Sequence, residues 1–92
     1  MEIGRIIGTV VATRKDERLI GTKLLVTVPI DTKGKPCGAS LVAVDMVGAG
    51  IGERVIYTRG SVASRAYSDR QAPIDAVIVG IVDAIEEEAE HR

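Results

Sequence analysis

Leu41-Val-Ala-Val-Asp-Met-Val-Gly-Ala-Gly-Ile-Gly-Glu-Arg-Val-Ile56 sets two apolar, strand-like runs on either side of a loop carrying Gly48, Gly50 and Gly52. Glycine has no Cβ, so its backbone takes positive φ readily and lets another surface approach closely. That surface is a nucleotide phosphate, another strand or a second subunit. A dinucleotide-binding loop reads strand, Gly-x-Gly-x-x-Gly, then a helix whose N-terminus holds the pyrophosphate. Here the glycines alternate, and Glu53-Arg-Val-Ile-Tyr-Thr58 after them alternates like a strand. No Lys-Ser or Lys-Thr pair follows, so a phosphate-cradling P-loop fails too. The residues alone favour a glycine-bearing turn between antiparallel strands.

Outward from this stretch, the pattern predicts strands over 1–14, 19–30, 41–47, 53–58 and 74–85, all rich in Val, Ile, Leu and Thr. Gly4 and Gly8 are candidate bulge or bend points in the first, and Pro29 marks an end or edge of the second. Lys15-Asp-Glu-Arg18 and Asp31-Thr-Lys-Gly-Lys-Pro36 are turns by composition. Gly60-Ser-Val-Ala-Ser-Arg-Ala-Tyr67 breaks the strand pattern, and Ser61 there is a suitable cap for a short helix. The class is therefore all-β with one short helix: a small five-stranded barrel of the OB type. The expected organisation is one domain over 1–85 and a charged tail over 86–92.

With 92 residues and neither Trp nor Phe, the chain has little aromatic surface with which to build a core. Oligomerisation is a common remedy at this size. Ile74-Asp-Ala-Val-Ile-Val-Gly-Ile-Val-Asp-Ala-Ile85 points the same way, because a strand bare on one face alternates and one covered on both reads as continuous Val/Ile. Ala76, Val77, Ile78, Val79 and Ile81 are accordingly the expected subunit contacts, with another copy of the chain covering the outer face.

The formal net charge is −1, and the basic residues are scattered rather than clustered, so nucleic acid is not the expected partner. No apolar run approaches the roughly 20 residues needed to span a bilayer, and the N-terminus lacks the form of a signal peptide. The single Cys37 fits a reducing compartment and has no neighbouring base that would make it a nucleophile. Catalytic and metal-binding constellations are missing from the pattern. The single His91 lies beside the C-terminus, and the dense carboxylates fall in Glu86-Glu-Glu-Ala-Glu90. Asp45, Asp75 and Asp83 interrupt apolar strands, where backbone N–H groups or an arginine are the expected partners. Neither an enzymatic activity nor a cofactor is expected.

Several blocks, taken in order, resemble the bacterial microcompartment vertex proteins, the pentameric shell components of carboxysomes and of ethanolamine- and propanediol-type compartments. They are Met1-Glu-Ile-Gly-Arg-Ile-Ile-Gly-Thr-Val-Val-Ala-Thr-Arg14, Leu19-Ile-Gly-Thr-Lys-Leu-Leu25, Val42-Ala-Val-Asp-Met-Val-Gly-Ala-Gly-Ile-Gly-Glu53, Gly60-Ser-Val-Ala-Ser-Arg65 and Pro73-Ile-Asp-Ala-Val-Ile-Val-Gly-Ile-Val-Asp83. The resemblance implies an OB-like barrel assembled as a cyclic homopentamer. Such a pentamer would cap the five-fold vertices of a shell whose facets are tiled by hexamers, inside the cytoplasm.

On that reading Gly48, Ala49 and Gly50 would lie near the five-fold axis and frame a narrow opening, the alternative being an ordinary hairpin turn far from the axis. Arg14, Lys15 and Arg65 are the expected rim contacts to hexameric neighbours, since basic side chains suit carboxylate and carbonyl partners. The competing function is an OB-fold module binding single-stranded nucleic acid or a small ligand, for which Tyr57 and Tyr67 would be the stacking residues.

Overall fold

The computed structural model describes residues 1–13, 15–60, 63 and 74–88. Its strands are β1 (Glu2–Val10), β2 (Lys23–Pro29), β3 (Leu41–Asp45), β4 (Arg54–Arg59) and β5 (Ala76–Ile81), with a 3-10 turn at Glu17–Leu19 between the first two. They close into a barrel in the order β1-β2-β3-β5-β4. Every pairing is antiparallel except β3 with β5. A parallel pair needs a crossover rather than a hairpin, and residues 46–75, which include β4, make that connection, 60–75 being the part between β4 and β5. The short helix expected there lies outside the described residues, apart from Ala63, which is helical and buried.

Strand alternation builds the interior. Ile6, Leu25, Ala43, Val55, Tyr57, Ala76 and Ile78 point inward and form one cluster, joined by Ala49 from the glycine loop. Full burial of an aliphatic side chain of this kind contributes about 1.5–3 kcal/mol. Tyr57 is the largest fully buried side chain, and its ring occupies the space beside Gly4. Gly4 is therefore a packing glycine. The β1–β2 bulge falls at Ile7, which has no partner between Ile6 opposite Thr27 and Gly8 opposite Val26, so Gly8 borders it.

The strands are shorter than the apolar runs. Leu19 belongs to the 3-10 turn instead of β2, because Asp16 caps that turn by accepting the Arg18 N–H. Beyond Ile81 the chain leaves the ladder, and residues 82–88 form no regular structure.

A second apolar cluster lies outside the barrel wall, made of Val44, Ala63, Ile74 and Val77 with Leu19, Leu24 and Val79 packed against it. This corrects the sequence-based account of β5. Its continuous run is covered by the chain itself: Ala76 and Ile78 face the interior, and Val77 faces the second cluster. Composition cannot distinguish a wall covered by a second copy from one covered by the subunit's own crossover.

Candidate functional site

Asp45 organises the glycine loop. It ends β3 with its side chain only 3% exposed, and its two carboxylate oxygens each accept a backbone N–H, from Val47 and from Ala49, at 3.0 Å. Lys23 sits opposite Asp45 in the β2–β3 register, 3.8 Å from the carboxylate, and its Nζ also donates to the Ala49 carbonyl. Glu53 closes the far side by accepting the Gly50 N–H at 2.7 Å. Two backbone bonds, Gly52 N–H to Ile6 carbonyl and Ile6 N–H to Glu53 carbonyl, tie the loop to β1. A carboxylate that accepts backbone N–H groups is worth roughly twice a neutral acceptor, so the loop is held by charge as well as by turn geometry.

The three glycines differ. Gly48 and Gly52 have positive φ, 79° and 91°, which other residues reach only with strain. Gly50 does not, and a Cβ there would meet only Glu53 Oε1 at 3.5 Å. Within one subunit, then, Gly50 has no conformational need to be glycine. Of the residues expected near the axis, Gly48 is exposed and Gly50 half-buried, whereas the Ala49 methyl is fully buried in the subunit's own interior. Asp45 and Lys23 draw it inward, so the Ala49 side chain cannot line an opening. The apolar side chains the loop does present are Met46, Val47 and Ile51, the last 68% exposed.

The expected subunit contacts divide in the same way. Ala76, Val77 and Ile78 have no surface left to offer a neighbour. Val79 is half-buried and Ile81 is on the surface. Of the expected rim residues, Lys15 is exposed beside the turn in which Arg18 clasps Asp16, whose carboxyl those hydrogen bonds hold down at about 2. Arg14 and Arg65 lie outside the described residues.

Tyr57 is not available as a stacking platform. It is fully buried, its hydroxyl donates to Glu2 Oε1 at 3.3 Å, and the Glu2–Arg59 ion pair at 3.1 Å sits at the same barrel end. Tyr67 lies outside the described residues. An apolar groove beside Leu24, Val42 and Ile74 is lined also by Asp75. Among the described residues no three His, Cys, Asp or Glu side chains converge as metal ligands would. Asp45 has the structural role expected of it, while Asp75 and Asp83 use their backbone carbonyls, which accept from the Gly60 N–H and from Arg54.

Sequence reasoning overlooked Lys23, Glu53 and the arginines of β1 and β4. Lys23 and Glu53 flank the glycine loop, but only the register and the loop's return path give them partners.

Comparison with known proteins places this arrangement. The family model described as "Ethanolamine utilisation protein EutN/carboxysome" matches residues 1–83. The microcompartment shell vertex protein GrpN of Rhodospirillum rubrum is 50% identical over 86 residues, covering 94% of this chain and 97% of that one. Its solved structure, a pentameric microcompartment shell protein, superposes with a TM-score of 0.85, covering 96% of this chain and all of the other (100%). The carboxysome shell vertex protein CcmL of Gloeobacter violaceus is 42% identical over 85 residues, 92% of this chain and 85% of that one. Its structure matches with a TM-score of 0.87 over 96% of this chain and 91% of that one. EutN from Escherichia coli gives a TM-score of 0.86 at 34% identity, over 98% and 93% of the two chains. The closed barrel, its glycine loop and these matches over nearly the whole chain establish that the protein belongs to the EutN/CcmL family.

Proposed function

We propose that this chain is a structural vertex protein: five copies form a ring that caps the five-fold corners of a bacterial microcompartment shell in the cytoplasm. The observation that carries this reading is the match to the GrpN pentamer, at 50% identity over essentially the full length of both chains. The mechanism is geometric. Hexamers tile a flat sheet, and a closed polyhedron needs five-fold positions where the sheet turns. Identical head-to-tail interfaces close into a ring when the rotation between neighbours divides the circle.

On this reading the protein is not an enzyme, holds no cofactor, and its partners are its own copies and hexameric shell proteins. Gly48 and Gly50 are the loop residues placed nearest the axis, since five copies of one segment converge there and Gly50 has no other reason to lack a side chain. Lys15, with Arg14 and Arg65, supplies the rim. The nucleic-acid alternative loses its main support, because Tyr57 is inside the barrel.

The test is light scattering on the purified chain, followed by co-expression with hexameric shell proteins and electron microscopy. A five-subunit mass and closed polyhedra that become open sheets or tubes when the chain is omitted are the expected results. A solitary subunit, or shells that close equally well without it, overturns the reading.

A further inference from the structure

The second cluster takes no residue from β1 or β4, whose outward side chains at Ile3, Arg5, Arg54 and Ile56 are half-buried. Their register sets Ile3 opposite Ile56 and Arg5 opposite Arg54. The alternate positions, Gly4 and Val55, are buried in the interior, so these four side chains face outward. Two like charges directly opposite each other destabilise a sheet. Arg5 Nη1 donates to the Gly34 carbonyl at 3.0 Å and Arg54 Nη2 to the Asp83 carbonyl at 3.2 Å. Among the described residues neither guanidinium has a carboxylate within ion-pair distance. Both arginines are half-buried, and the carbonyl bond that each makes uses one of its five guanidinium donors.

We propose that this arginine pair receives the acidic segment 86–88 of the adjacent subunit, a contact that rests on the ring assembly proposed above. The segment emerges beside the pair, with the Val82 N–H bonded to the Arg54 carbonyl at 2.9 Å, and then runs on without a ladder partner. Glu86, Glu87 and Glu88 are exposed and make no ion pair among the described residues. Among the described residues the other carboxylates fit less well. Asp45 and Glu53 hold the glycine loop, Glu2 holds Arg59, and Asp16 and Asp31 are bound into their own turns. Glu17, Asp75 and Asp83 stand singly, whereas two arginines on facing strands, one reaching toward Gly34 and the other toward Asp83, match a run of carboxylates. In a cyclic ring each subunit presents one arginine pair and one acidic segment, so a head-to-tail contact leaves none unmatched.

The experiment is a dilution series followed by light scattering at low and high salt, on the unmodified chain and three variants. These are Arg5→Glu with Arg54→Glu, then Glu86→Lys with Glu87→Lys and Glu88→Lys, then all five changes together. Each charge-reversed set is expected to raise the concentration at which the ring dissociates by at least ~10-fold. The combined variant is expected to recover most of that loss, and high salt to weaken the unmodified ring. The glutamate set lies outside the barrel ladder, so it decides the matter alone if the arginine set does not fold. Rings indifferent to the glutamate reversal, or a stability change independent of concentration, overturn this contact and leave the vertex reading intact. An unmodified chain that stays solitary removes both.

Discussion

A Cβ placed on Gly4 would stand 2.9 Å from Cε1 of Tyr57, and 2.6 Å from Cγ2 of Thr27. Tyr57 is the one aromatic side chain turned inward among the described residues, and β1 makes room for it by carrying no side chain at the facing position. Gly4→Ala is expected to lower stability by about 1–3 kcal/mol through overpacking. Gly8→Ala places its methyl 3.7 Å from Val26 and is expected to stay within about 0.5 kcal/mol. Urea unfolding at one fixed protein concentration compares the two.

Val77 and Ile81 separate the internal from the external account of β5. Val77 is fully buried against the subunit's own crossover, and Ile81 is on the surface. Val77→Asp leaves an unpaired charge in an apolar cluster, a loss of about 3–5 kcal/mol, and is expected to abolish folding by circular dichroism. Ile81→Asp is expected to keep a folded barrel whatever it does to assembly. A well-folded Val77→Asp subunit would return the strand to the role its composition suggested.

The contrast shows what could be read from residues alone. Alternation over 53–58 marked β4 as a strand, because a half-buried strand has period two. The β5 run gave burial on both faces but not the identity of the cover. Likewise Gly48, Gly50 and Gly52 marked the loop, yet two of them are needed for φ and one is not.

Asp45→Ala removes two N–H acceptors and the partner of Lys23 at once. A loss of about 1–3 kcal/mol is expected, together with faster amide hydrogen exchange at Val47 and Ala49. Asp45→Asn retains an acceptor oxygen and is expected to fall between Ala and the native residue. Unchanged exchange at Ala49 would show that the loop holds its shape without the carboxylate.

Tyr57 sets an alkaline limit. Burial, the largest cause, raises its pKa above the ordinary 10.0. A group whose folded pKa is raised contributes stability that is fully present below the unfolded value and is lost as pH rises through the folded one. Stability is therefore expected to fall above about pH 10, and Tyr57→Phe is expected to flatten that fall. Denaturation midpoints measured across this range, with phenolate absorbance followed in parallel, check it. Identical profiles for the two proteins would remove Tyr57 as the cause.

The sequence by itself determined the strands, the turns and the need for a tight loop after β3, since side-chain period, glycine and proline act on neighbouring residues. Its ordered blocks also pointed to the family. Only the tertiary structure decided which apolar surface is spent inside the subunit: Ala76, Val77, Ile78 and Ala49 are buried within it, while Arg5 and Arg54 face each other across β1 and β4, half-buried. The reason is physical. Barrel closure and strand register join residues far apart in the chain, and no local pattern encodes which distant segment covers a given face.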